Sequence, residues 1–284
     1  MNNRSRRKEI AEETLIIINE KYYKTANGQR VDLTDQIGRM LAGTELYLPN
    51  PLKNLVEGVL QQNQVFESCQ LEVADETTLQ GASRLVKSGQ YQRVGVLNFA
   101  SAKNPGGGFL NGSMAQEESL ASSSALYESL IHCQDYYSWH KSHANLLYSD
   151  RMIYTPDCPV FRDDDGRLLD EPYLVDFMTS PAPNIGAMRE DSPLRDEVLP
   201  VLRERSEKVL AVMANHGCDA VVLGAWGCGV FKNDPDMVAE VFAQHLKQGG
   251  RWHNRFRKVV FSILDRSRQQ ENIQAFQFLT DDAL

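Results

Sequence analysis

An α/β fold with a largely parallel sheet is what this sequence predicts, and three observations carry it. Short apolar runs of strand length alternate with stretches whose apolar residues recur at helical spacing. Two of the runs, 94–100 (VGVLNFA) and 220–223 (AVVL), are almost wholly apolar, the pattern of strands covered on both faces. Both lead into glycine-rich loops, and sheets of this kind bind ligands at the loops leaving their strand C-termini.

Taken in order, 4–19 is predicted to be an amphipathic helix through Ile10, Leu15, Ile17 and Ile18. Asn27-Gly28, between Tyr22-Tyr23 and the apolar Val31 and Leu33, predicts a hairpin with a type I′ turn. Residues 1–66 read as a mainly helical N-terminal extension packed on a main domain of 67–284. No repeat and no linker rich in Pro, Gly or Ser divides the chain.

The main domain opens with a strand at 70–73 and a helix at 78–86, with Leu79, Ala82 and Leu85 on one face. After the strand at 94–100 comes one helix over 118–131, through Ala121, Leu126 and Leu130. A hairpin-like stretch turns at Asp163-Asp164-Asp165-Gly166, and a strand follows at 173–179. A long helix at 199–215 ends before Gly217, which suits the left-handed residue of a helix C-terminus. Beyond the strand at 220–223, Asp234 is placed as N-cap and Pro235 in the first turn of a helix at 235–246. The last strand is 258–264.

Composition narrows the class. With 42% hydrophobic and 24% charged residues the chain can bury a core, so a disordered protein is excluded. No apolar stretch approaches the ~20 residues of a membrane span. The basic start (Arg4, Arg6, Arg7, Lys8) is not followed by the apolar core of a secretory signal. A net charge of −8 argues against a protein that coats nucleic acid, and no sequence-specific nucleic-acid binding is expected. A phosphate-bearing ligand stays possible, because backbone N–H groups and helix N-termini bind phosphate without net positive charge. The five cysteines are odd in number and form no C-x-x-C pair, so reduced thiols and a cytoplasmic setting are expected. The six histidines show no spacing of a metal site or triad, and neither metal nor cofactor is expected.

Two loops carry the chemistry. The first reads Asn104-Pro105-Gly106-Gly107-Gly108, then seven residues, then Gln116-Glu117-Glu118. Glycines there allow positive φ and a backbone that approaches a ligand with no Cβ in the way. Alone, they would mark a surface turn, and the two glutamates an acidic first turn of a helix. Their position after a buried strand, with carboxylates at the far end, is what points to a site. The second loop reads Gly224-Ala225-Trp226-Gly227-Cys228-Gly229-Val230-Phe231. Its spacing is neither a dinucleotide fingerprint nor a Walker loop, yet it suits an anion ahead of a capped helix.

The stretch 98–120 (NFASAKNPGGGFLNGSMAQEESL), with its GGG-x7-QEE spacing, resembles the signature of the microbial-type poly(ADP-ribose) glycohydrolases. GAWGCGVF at 224–231 is similar to the second phosphate-binding loop of that family, and the segment through Ala82 to its N-terminal extension. The resemblance implies a macrodomain-like, three-layer α/β/α fold with a mostly parallel mixed sheet. It also implies metal-independent hydrolysis of ribose–ribose O-glycosidic bonds from the end of poly(ADP-ribose), releasing ADP-ribose. ADP-ribosylated proteins are expected as substrate carriers, and a monomer is expected.

Glycoside hydrolysis needs an acid for the departing oxygen and a base for water. By the resemblance, Glu118 supplies both in turn, Glu117 and Gln116 bind hydroxyls of the adjacent ribose, and Asn104 those of the ribose under attack. Gly106, Gly107 and Gly108 would hold the diphosphate from one side and Gly227, Cys228, Gly229 and Val230 from the other. Phe231 would pack on the terminal ribose, while Trp226 reads as packing. Asp75 is either an adenine-binding acid or a helix N-cap, and Ser180-Pro181-Ala182-Pro183-Asn184 either a pocket wall or a rigid turn. Two other readings are an ADP-ribose-binding module, which has no need of Glu118, and a hydrolase of mono-ADP-ribosyl groups.

Overall fold

The computed structural model describes residues 3–62 and 65–280. In chain order its elements are α1 (Asn3–Glu20), β1 (Tyr22–Lys24), β2 (Arg30–Asp32), α2 (Thr34–Gly43), β3 (Glu45–Tyr47) and α3 (Pro49–Gln61). Then come β4 (Gln70–Ala74), α4 (Thr78–Lys87), β5 (Val94–Phe99), α5 (Gln116–Ser123), α6 (Leu126–His132) and α7 (Gln134–Ser142). The chain ends with β6 (Met152–Arg162), β7 (Leu168–Ser180), α8 (Val198–Asn215), β8 (Ala220–Leu223), α9 (Pro235–Leu246), β9 (Lys258–Ser262) and α10 (Glu271–Phe276).

Seven strands form one sheet in the order β3-β6-β7-β5-β8-β9-β4. The five from β7 to β4 are parallel; β6 runs against both β7 and β3. Residues 3–62 thus reach the sheet directly, through β3 at its edge. Side chains of a strand alternate between faces, so β8 sends Ala220 and Val222 to one side and Val221 and Leu223 to the other. Val96 and Leu97 of β5 divide in the same way. One face is covered by α3, α8, α9 and α10, the other by α1, α2, α4, α6 and α7. The outcome is the three-layer α/β/α fold with a mostly parallel mixed sheet. Among the described residues no helix is long and apolar enough to cross a membrane.

Three local expectations fail, each for a readable reason. The helix expected at 118–131 is two, because Ser124 is extended (φ −145°, ψ 176°) and bridges to Val160 of β6. The hairpin at Asn27-Gly28 forms, but only Gly28 has positive φ (+79°), whereas a type I′ turn needs it at both central residues. Asp75 does not cap α4; Thr77 does, its hydroxyl accepting from Gln80 N–H while the Gln80 side chain accepts from Thr77 N–H. The strands β5 and β8 and helix α9 lie where expected, with Asp234 accepting from the N–H groups of Asp236 and Met237.

Candidate active site

β5 and β8 are neighbours in the sheet, so the glycine loops that follow them lie side by side at its C-terminal edge. Their connections part there: the helices after β5 cover one face and α9 after β8 covers the other. A crevice opens where connections diverge in this way, and it is where open α/β sheets hold ligands.

The first loop delivers a pair of carboxyls. Gln116 anchors them, because its amide extends β5: Oε1 accepts from Phe99 N–H at 2.9 Å and Nε2 donates to the Leu97 carbonyl at 2.7 Å. Nε2 also reaches Thr78 Oγ1 at 3.3 Å, so both ends of the amide are engaged by the fold. Glu117 follows, only 3% exposed, and its carboxyl accepts from Ser101 N–H at 2.6 Å and Asn98 Nδ2 at 3.4 Å. Glu118 is half-buried and accepts from Gly108 N–H at 2.9 Å. Both carboxyls converge on Gly107, where a Cβ would stand 2.4 Å from Glu118 Oε1 and 3.2 Å from Glu117 Oε2.

Burial pushes the Glu117 carboxyl from its ordinary 4.5 up to about 8, with the Glu118 charge adding to the rise. Bonds from Ser101, Asn98 and Gly106 pull it partly back. At neutral pH Glu117 is therefore largely protonated. Because the folded state holds this proton more tightly than the unfolded one, stability is full below the unfolded value and is lost as pH rises towards the folded value. The melting temperature of the wild type, relative to Glu117→Gln, is expected to fall from about pH 5 to about pH 8 and then level off. Parallel thermal-denaturation curves for the two proteins across that range would contradict it.

The three glycines do not present their N–H groups as expected for diphosphate donors. Gly106 N–H is directed at Glu117, Gly107 N–H donates to the Asn104 carbonyl at 3.0 Å, and Gly108 N–H is held by Glu118. Their small size makes room for neighbours instead: Phe109 and Ala121 against Gly106, the two carboxyls against Gly107 and Ser113 against Gly108. The Asn104 side chain is exposed at the mouth of the loop.

In the second loop Gly227 has φ +77°, and a Cβ there would meet Asn233 Nδ2 at 2.4 Å and Ala182 Cβ at 2.6 Å. Cys228 N–H donates to the Ala225 carbonyl. Among the described residues no acceptor takes the N–H of Gly227, Gly229 or Val230, and Val230 is 75% exposed. This loop carries the free donors. Cys228 is half-buried, and burial pushes its thiol up to about 12, so it is no nucleophile. Trp226 is buried and donates Nε1–H to the Ser180 carbonyl. The Ser180–Asn184 stretch is held by two side chains: Arg205 donates to the Pro181 carbonyl and Asn233 to that of Pro183.

Phe231 is half-buried, its ring 5.9 Å from that of Tyr148, whose hydroxyl accepts from Asn184 Nδ2. Tyr148 (φ +57°) and Lys232 (φ +58°) both have left-handed backbone, a strain that clusters at functional sites. Sequence reasoning missed Tyr148, and it missed Asn98, whose signal was available as a polar residue inside an otherwise apolar strand. Asp75 is exposed beyond β4. Among the described residues no group of three or more His, Cys, Asp or Glu could hold a metal ion.

The model of the microbial-type PARG catalytic domain matches residues 11–163, a span that takes in the first loop and the carboxyl pair. The chain belongs to the microbial-type poly(ADP-ribose) glycohydrolase family. Poly(ADP-ribose) glycohydrolase from Thermomonospora curvata is 46% identical over 97% of this chain and 99% of its own, with a TM-score of 0.93. The same enzyme bound to the inhibitor ADP-HPD gives 46% identity, 96% and 98% coverage and a TM-score of 0.90. The Deinococcus radiodurans poly(ADP-ribose) glycohydrolase in complex with ADP-ribose is 42% identical over 87% of this chain and 97% of its own, with a TM-score of 0.79. Curated proteins gave no match. These matches extend over 87–97% of the chain, so the macrodomain-like fold expected from the sequence holds.

Proposed function

We propose that this protein hydrolyses the ribose–ribose O-glycosidic bonds of poly(ADP-ribose) from the chain terminus and releases ADP-ribose without a metal. The observation that carries the reading is the convergence of two carboxyls on Gly107 beside a loop with free backbone donors. The N–H groups of Gly227, Gly229 and Val230 hold the diphosphate, the role expected of both loops falling mainly to the second. Phe231, backed by Tyr148, packs on the terminal ribose and sets its angle. Glu117 binds ribose hydroxyls from its buried position, and Asn104 those of the ribose under attack.

Chemistry then needs one proton moved twice. Glu118 gives its proton to the oxygen leaving the anomeric carbon, and the bond breaks with positive charge developing on the ribose. A water attacks that carbon, and the Glu118 carboxylate accepts its proton, which returns the enzyme to its starting state. One residue serves both steps because its protonation inverts between them. The diphosphate and ring contacts hold the reacting carbon within reach, the positioning that such reactions depend on.

Incubation with purified poly(ADP-ribose) after extensive dialysis against EDTA tests this. The expected product is monomeric ADP-ribose from the first turnovers, with activity unchanged by the chelator. Binding without cleavage would make the protein an ADP-ribose reader, and early release of oligomers would mean internal cutting. Release only of single ADP-ribosyl groups from modified protein would move it to the mono-ADP-ribosyl hydrolases. Loss of activity with EDTA, restored by a divalent ion, would overturn the metal-free mechanism.

A further inference from the structure

We propose that α1 is a strap that fixes the Glu118 carboxyl in place, with Arg7 as its positioning residue; this rests on Glu118 being the proton donor. A continuous set of hydrogen bonds links the two. Gly108 N–H holds Glu118 Oε1 at 2.9 Å. The Gly108 carbonyl in turn accepts from the N–H groups of Asn111 at 2.9 Å and Ser113 at 3.1 Å. The next carbonyls point outward to α1: Arg4 Nε donates to Asn111 O at 3.0 Å and Arg7 Nε to Gly112 O at 2.8 Å. Arg7 Nη1 also lies 3.9 Å from Met114 Sδ. Contact is close enough that a Cβ on Gly112 would stand 2.5 Å from the Arg4 carbonyl oxygen.

The far end of the same span is gripped as well, since Thr14 Oγ1 donates to the Ser122 carbonyl at 2.7 Å. α1 is itself moored to the β6–β7 hairpin, by the Glu13–Arg162 ion pair at 2.8 Å and by Arg6 on the Asp165 carbonyl. The start of the loop is packed, since Phe109 is buried with Ala11 of α1 and Ala121 of α5, its ring 4.9 Å from that of Tyr127. Beyond it Leu110 is 43% exposed and Met114 75%, so this stretch has fewer apolar contacts to resist local opening. Arg7 holds that exposed stretch. The donors for the diphosphate sit on the other loop, after β8, so releasing the strap misplaces the acid and leaves the ligand bound.

Arg7→Ala is expected to lower kcat on poly(ADP-ribose) roughly 10-fold or more, with the Kd for ADP-ribose and the melting temperature little changed. Amide hydrogen exchange across 109–115 should speed up in parallel. Arg7→Lys, which can still reach one carbonyl, should recover part of kcat. Wild-type kcat in Arg7→Ala overturns the proposal, as does a loss of kcat that tracks loss of folded protein or is matched by an equal loss of ADP-ribose affinity. If Arg7→Ala does not fold, Arg7→Gln takes its place in the same measurements, and the same outcomes support or overturn the proposal. Glu118→Gln in the same assay separates the two ideas. If it stays active, the reading of the acid fails; if it is dead while Arg7→Ala is fully active, only the strap fails.

Discussion

Glu118→Gln is expected to bind ADP-ribose as the wild type does and to lose turnover by ~10²-fold or more. The substitution keeps the shape of the side chain, and its amide oxygen can still accept from Gly108 N–H, so the loop has no reason to move. What it removes is the exchangeable proton that both steps require. Calorimetry with ADP-ribose beside a polymer-degradation assay separates the two quantities. A fully active Glu118→Gln protein would transfer the acid role elsewhere, and Glu117 would be the next carboxyl to test, since it is largely protonated at neutral pH.

Gly107→Ala should be nearly as damaging for a different reason. The added methyl would lie 2.4 Å from Glu118 Oε1 and 2.9 Å from its carboxyl carbon, at a residue with φ +61°. Glu118 is the half-buried end of a flexible side chain, so it swings aside and the fold survives. The left-handed backbone costs roughly 1–2 kcal/mol in a non-glycine residue, whereas a carboxyl displaced by about 1 Å can cost ~10² in rate. Turnover is therefore expected to collapse while the melting temperature drops by only a few degrees. Gly58→Ala in α3 is the control: no atom lies within 4 Å of its Cβ position and its φ is not positive. A Gly107→Ala enzyme with normal turnover would mean that the pair of carboxyls is not where the reaction happens.

Much of this arrangement is legible in the sequence because it is written locally. β5 and β8 announce themselves as nearly continuous apolar runs, and α9 by its Asp–Pro start. The two glycine loops stand out by composition and by their place after those strands. What could not be read depends on partners far along the chain. Ser124 breaks a good helical pattern because it pairs with Val160, and nothing within 118–131 says so. Likewise the donors of Gly106 and Gly108 turn inward because Glu117 and Glu118 come back to meet them, a closure no glycine count reveals. Tyr148 joins the site through Phe231 and Asn184, residues dozens of positions away, and Arg7 reaches the loop from the other end of the chain.

The mooring of α1 also bears on the order in which the molecule is assembled. Its helix is synthesised well before its partners, because the carbonyls that Arg4, Arg7 and Thr14 grasp belong to residues more than 100 positions later, and Glu13 waits for Arg162. Contacts of such sequence separation carry a closure entropy that local ones escape, so they form late. The outermost parallel strand has to wait longer still, because β4 pairs with β9, Gln70 opposite Lys258. A nascent chain therefore carries α1 undocked until residues 111–165 have been made, and a half-built sheet until β9 has. Working geometry has to wait for both.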